Sequence, residues 1–145
     1  MTTIRFRQEF FYNGPASDDQ IVVNLRVFPP NGPPLSQIAI LDTGAEYSLF
    51  DKALLPLLGI ANMTTGVRYN VDLADEQRKV AYLHNLDIEF EGHRLNVPVG
   101  FSDDFPEGVG NVLGMNGFCD QFVFGLDHQT RMLFLTRGPL ASATI

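Results

Sequence analysis

Ile38-Ala39-Ile40-Leu41-Asp42-Thr43-Gly44-Ala45 runs four apolar residues straight into a carboxylate, a hydroxyl and a glycine. The apolar run Gln37 to Leu41 is short and nearly continuous, which fits a strand buried on both faces. A carboxylate directly after such a strand sits where burial and neighbouring groups tune its proton affinity. Thr43 adds a hydroxyl, and Gly44 lets the backbone pass close to another chain or to a substrate. One carboxylate cannot be acid and base in the same step. Two that share a site can, because they do not both ionise. Asp42 therefore raises the question of a second carboxylate, and no other Asp in the chain is followed by Thr or Ser and then Gly.

The rest of the composition narrows the class. The chain has 145 residues, with 10 Lys+Arg against 17 Asp+Glu and a net charge of −7. That length suits one domain over residues 1–145 with a core that needs no staples. With 45% hydrophobic and only 19% charged residues, general disorder is excluded. Cys119 is the one cysteine, so an intramolecular disulfide framework and a four-cysteine zinc site are excluded. An acidic chain whose longest basic run is Arg78-Lys79 makes no nucleic-acid partner. No segment reaches the ~18 apolar residues of a membrane helix, and Met1 to Glu9 alternates apolar with charged residues, unlike a signal peptide. The expectation is a soluble, cytoplasmic protein without a membrane partner.

Periodicity gives the elements. Ile4, Phe6, Gln8 and Phe10 alternate with charges as in a half-buried strand, which Asn13-Gly14-Pro15 breaks. A second β-rich run spans Ile21 to Phe28, and Pro29-Pro30-Asn31-Gly32-Pro33-Pro34 must be loop. Asp51 to Leu58 has room for a helical turn or two, capped by Asp51 and disturbed by Pro56. From Gly66 to Phe101 the pattern is hairpins: Val67-Tyr69-Val71-Leu73 leads to a polar tip at Asp75-Glu76-Gln77, Val80 to Glu91 returns, and Gly92-His93 turns into Leu95-Val97-Val99. Val112-Leu113-Gly114 precedes a short helix over Asn116 to Phe122, and Phe122 to Leu126 with Met132 to Leu135 forms a last hairpin. The class is all-β with one or two short helices.

In these motifs the chain resembles the retropepsin-like aspartic proteases, the family of retroviral proteases and their cellular relatives. Leu41-Asp42-Thr43-Gly44-Ala45 matches the family's apolar-Asp-Thr-Gly-Ala signature, and Val112-Leu113-Gly114 matches its later apolar-apolar-Gly loop. The hairpin around Asp75-Glu76 lies between the two, where the family has its flap. The resemblance covers roughly Ser36 to Thr136 and leaves 1–35 as N-terminal strands and a Pro-rich loop.

The resemblance implies a closed or partly open β-barrel of the acid-protease type, homodimeric, that hydrolyses peptide bonds. Because the chain holds one Asp-Thr-Gly, the second carboxylate comes from a second copy across a twofold axis. By the same resemblance Asp42 of each subunit binds the attacking water, Thr43 bonds across the twofold, and Gly44 meets the substrate backbone. Ala45, Glu46, Leu73, Ala74, Asp75, Val112 and Leu113 line the peptide site, with the flap closing over an added strand. No cofactor or metal is implied. His84, His93 and His128 are scattered without ligand spacing, Asp103-Asp104 with Glu107 lacks a calcium-loop pattern, and Cys119 reads as a small core residue.

Three departures stand out. Met115 occupies the place where retroviral members carry an Arg, so Glu46 needs another partner, with Arg5 and Arg7 as candidates. The tip Ala74-Asp75-Glu76-Gln77 has no glycine. Ala45 offers no hydroxyl to an ionised carboxylate, so the working range is expected nearer neutral than in relatives with Ser or Thr there. Two other readings compete: a peptide-binding or dimerisation module on the same fold, and a nucleotide-handling fold, which the short, helix-poor chain disfavours.

Overall fold

In β2 (Val22–Phe28), Val23, Leu25 and Val27 are buried while Asn24 and Arg26 are exposed, so the period-two pattern of the sequence becomes an inside and an outside. The computed structural model describes residues 5–12, 20–72 and 78–138. Its further strands are β1 (Gln8–Phe11), β3 (Leu35–Leu41), β4 (Ser48–Leu49), β5 (Val67–Asp72), β6 (Arg78–Phe90), β7 (His93–Phe101), β8 (Val112–Leu113), β9 (Phe122–Asp127) and β10 (Met132–Arg137). Ile4 and the break at Asn13-Gly14-Pro15 lie outside the described residues.

Six strands close on themselves in the order β2-β3-β8-β4-β7-β6, because β2 pairs back onto β6 with Arg26, Val27 and Phe28 opposite Glu89, Ile88 and Asp87. Closure removes the open edges that a flat sheet would expose. Val27, Ile88, Val97 and Val99 are wholly buried inside, each contributing about 1.5–3 kcal/mol by leaving water. β5 adds outside the ring, antiparallel to β6. The barrel corrects one expectation. β3 is not buried on both faces: Ala39 and Leu41 point in, but Ile38 is 62% exposed. A closed barrel has one interior, and among the described residues no second layer covers Ile38.

A second sheet, β1-β10-β9, docks on the barrel through aromatic rings. Phe90 of β6 meets Phe10 at 5.8 Å, Phe118 at 5.2 Å and Phe122 at 5.7 Å, all edge-on. Such pairs add about 0.5–1.5 kcal/mol each beyond burial. Phe118 and Phe122 are buried at this junction. Gln8 bonds the Glu91 carbonyl at 2.9 Å and also meets His93, tying β1 to the β6–β7 turn. Glu91 and Gly92 both have positive φ there, as a two-residue hairpin requires.

The short helices are corrected as well. Lys52–Leu54 and Cys119–Gln121 form only 3-10 turns, and a third occurs at Met63–Thr65. Pro56 and the glycines at 59 and 117 leave no run long enough for an α-helix. Among the described residues no helix is long and apolar enough to cross a membrane.

Asp51 does cap its turn, accepting from Ala53 N–H at 3.0 Å and from Gly108 N–H at 2.7 Å. Burial pushes its carboxyl up, but the N–H groups of Ala53, Gly108 and Gly110, with Lys52, together outweigh this and hold it below the ordinary range. A lowered folded pKa contributes stability above the unfolded value of about 3.9 and loses it as pH falls through the folded one. Asp51→Ala is expected to cost about 1 kcal/mol at pH 7 in urea unfolding. The gap from wild type should narrow below about pH 4; an equal gap at pH 7 and pH 3 would contradict the assignment.

Candidate active site

Asp42 leaves the end of β3 and is held by its own backbone. Its N–H donates to the Leu113 carbonyl at 2.9 Å, while Leu41 N–H donates to Ile21 at 2.8 Å and Ile40 N–H to Asn111 at 2.9 Å. These bonds use groups that a strand end otherwise leaves to water. The carboxylate Oδ1 accepts from Gly44 N–H at 2.8 Å, which closes a tight turn and leaves Oδ2 without a bond to any described residue. Asp42, Thr43 and Gly44 are exposed in the single chain.

The order of strands explains why Val112-Leu113-Gly114 matters. β3 and β4 are consecutive in sequence, yet β8 lies between them, parallel to β3 and antiparallel to β4. The Asp42 loop therefore straddles β8. Met115 N–H donates to Ala45 and Asn116 N–H to Glu46, both at 2.8 Å, and Tyr47 bridges Asn116 in parallel. Gly114 N–H donates to the wholly buried Ser48 hydroxyl at 3.0 Å. Two segments far apart in sequence are stitched into one loop platform.

A cleft of about 450 Å³ opens over this platform, lined by Asp42, Gly44, Ala45, Glu46, Tyr47, Leu49, Tyr69, Val71, Phe105 and Val112. Of the residues named from sequence, Asp42, Gly44, Ala45, Glu46 and Val112 meet here. Thr43 stands at the exposed turn beside them. Leu113 lies beneath the cleft, wholly buried, because alternation along β8 turns it inward while Val112 faces out. Leu73, Ala74 and Asp75 lie outside the described residues. A larger concavity of about 620 Å³ between Arg26, Gln37 and Glu89 shares no lining residue with the Asp42 cleft.

Glu46 forms no ion pair among the described residues. Arg5 and Arg7 do not reach it, and the pairs formed are Arg26–Glu89 and Lys52–Asp103. Met115, in the place of the expected Arg, is 41% exposed.

Sequence reasoning missed Tyr47, Leu49, Tyr69 and Phe105 as cleft residues. Tyr69 packs edge-on to Tyr47 at 5.2 Å. Burial, with Glu46 and Tyr47 nearby, pushes its phenol up to about 12, so it stays a neutral hydrogen-bond donor through the physiological range. Gly100 makes room for it, since a Cβ there would lie 2.8 Å from the Tyr69 hydroxyl. The alternation of Val67, Tyr69 and Val71 was a usable signal for a shared face, but it did not say what that face covers.

The remaining candidates are structural. His84 bonds the Met63 carbonyl at 2.8 Å, His93 meets Gln8, and His128 meets Tyr12. Cys119 is buried, and burial with Asp120 and Asp42 nearby pushes its thiol up to about 11. That leaves little thiolate at neutral pH.

Among curated proteins none matches the chain. Among solved structures it is similar to a retropepsin-like aspartic protease from Rickettsia conorii, with a TM-score of 0.64 and 19% identity over 93% of this chain and 96% of that one. It is also similar to the retroviral protease-like domain of Ddi1 from Leishmania major, with a TM-score of 0.48 and 14% identity over 81% of this chain and 94% of that one. The first likeness supports the fold. Residues 24–117, which include the Asp42 loop and Val112-Leu113-Gly114, match the Aspartyl protease family. The chain belongs to the retropepsin-like aspartyl protease family.

Proposed function

We propose that the chain is an aspartic endopeptidase that works as a homodimer on extended peptide segments. The observation that carries this reading is the Asp42 loop locked to Val112-Leu113-Gly114 at the floor of a cleft roofed by β5. In the dimer, the two Asp42 carboxylates share one proton. One takes a proton from water as its oxygen attacks the scissile carbonyl, and the other protonates the carbonyl oxygen. Collapse of that adduct breaks the C–N bond and returns a proton to the leaving amine. Thr43 holds the two loops together across the axis, and Gly44 meets the peptide backbone. Ala45, Glu46 and Val112 form the walls, Leu113 supports them from below, and Leu73, Ala74 and Asp75 close over the peptide.

A peptide-binding module is the second reading. It is favoured by Glu46, which has no cation among the described residues, and by Met115 beside it. The discriminating experiment is cleavage of a diverse peptide mixture from pH 3.5 to 7.5, read by mass spectrometry, with wild type and Asp42→Asn in parallel. Cuts confined to wild type support the protease. Peptides retained equally by both proteins, without cuts, support the module. A wild type that stays monomeric at high concentration removes the shared site. Because Ala45 lacks a hydroxyl, the rate maximum is expected toward neutral. A maximum below about pH 3.5, near the ordinary Asp value, contradicts this.

A further inference from the structure

The β6–β7 ladder ends at the pair Tyr82–Phe101, yet β6 starts four residues before Tyr82, at Arg78. Beyond that last rung Val80 still faces the β7 side. In an antiparallel strand the N–H and C=O of one residue point the same way, and those of Val80 point away from β5. Both groups are nevertheless bonded, and by side chains. Val80 N–H donates to Asp104 Oδ2 at 2.8 Å, and the Val80 carbonyl accepts from Ser102 Oγ at 2.5 Å. Ser102 Oγ in turn accepts from Asp104 N–H at 3.0 Å, so the three residues form a closed ring of hydrogen bonds. Ser102 is only 3% exposed. Lys79 reinforces the junction, donating to the Asp104 carbonyl at 2.9 Å and lying 5.0 Å over the ring of Phe105.

Phe105 is a wall of the Asp42 cleft, and so are Tyr69 and Val71 of β5, which is paired to the stretch of β6 held by this ring. We infer that Ser102 and Asp104 are positioning residues that replace one rung of the sheet and fix the angle at which the β5–β6 hairpin stands over the cleft. The inference rests on the peptide-binding role proposed above. A hairpin whose root is already set loses less freedom when a peptide binds, so the benefit appears in affinity rather than in the chemical step.

The test compares wild type, Asp104→Ala, Ser102→Ala and Asp104→Asn. Three readouts are used: KM and kcat on a cleaved peptide, binding of that peptide with its scissile bond reduced, and amide exchange at Val80. Losing one net hydrogen bond corresponds to about a fivefold change. KM and the dissociation constant should rise about fivefold in Asp104→Ala and at least as much in Ser102→Ala, which loses two bonds of the ring, while kcat stays within about twofold. Asp104→Asn keeps an acceptor for Val80 N–H and should stay near wild type in every readout. Val80 exchange should accelerate in Asp104→Ala alone among the Asp104 variants.

Unchanged KM and affinity in folded Asp104→Ala overturn the inference and leave the protease reading intact. An Asn variant as impaired as Ala overturns it too, because charge rather than the rung would then be responsible. A wild type that binds the reduced peptide but cuts nothing sinks the protease reading, while the affinity comparison still decides this one. A wild type that neither binds nor cuts sinks both.

Discussion

Asp42→Asn is expected to lower kcat by about 10⁴-fold or more while leaving the fold in place. Removing a positioned acid–base group costs about 10²–10⁴, and in a homodimer one substitution removes both members of the pair. Asparagine can neither take a proton from water nor give one to the carbonyl oxygen. It does keep an oxygen where Oδ1 accepts from Gly44 N–H at 2.8 Å, so the turn survives. The backbone bond from residue 42 to Leu113 is unaffected by the change. The melting temperature should therefore fall by no more than a few degrees, since about 1 kcal/mol moves it by about 2–4 °C at this size. Side-by-side progress curves and thermal melts check both halves. Cleavage retained within tenfold of wild type would eliminate Asp42 as the water-activating group.

The sequence located the Asp42 loop better than it located the cleft around it. Asp42-Thr43-Gly44 and Val112-Leu113-Gly114 were readable because each is a compact motif, and the fold brings them together through β8. The alternation in β2 and β6 also survived, since a closed barrel imposes an inside and an outside on its strands. Three things were not readable. Ile38 looked buried because its neighbours are apolar, and a linear pattern cannot say whether a second layer covers a strand. Asn116 to Phe122 looked helical, but packing of Phe118 and Phe122 into the ring cluster takes the chain after one 3-10 turn into β9. Phe105 and Tyr69 are remote from both motifs in sequence. They reach the cleft only through the loop after β7 and the hairpin root that Asp104 holds. Asp104 itself was read only as part of an acidic stretch without a calcium-loop pattern. It is exposed, yet it is bonded to the strand, a pairing that no local spacing reveals.

Gly114→Ala should be the most destabilising single-methyl addition at the loop platform. The reason is space. The residue does not sit at positive φ, where an added side chain would be strained by conformation alone. A Cβ at this position would lie 2.5 Å from the Tyr47 carbonyl carbon, 2.6 Å from its oxygen and 2.9 Å from the Ala45 carbonyl oxygen. All three are backbone atoms, so no side chain can rotate away. Relief requires the two loops to separate. That would strain Gly114 N–H to Ser48 at 3.0 Å, Met115 N–H to Ala45 at 2.8 Å and Asn116 N–H to Glu46 at 2.8 Å. At about 1 kcal/mol each, with Ser48 left buried and unpaired, the expected loss is about 3–4 kcal/mol in urea unfolding. Gly59→Ala is the control, because its Cβ would meet nothing within 4 Å and its φ of +73° costs only conformation. That substitution should cost about 1 kcal/mol. Activity should fall further in Gly114→Ala than stability alone explains, since Leu113, which holds Asp42 N–H, is the adjacent residue. Equal losses in the two variants would mean that the loops have slack, and that the contact between the two signature motifs does not position Asp42.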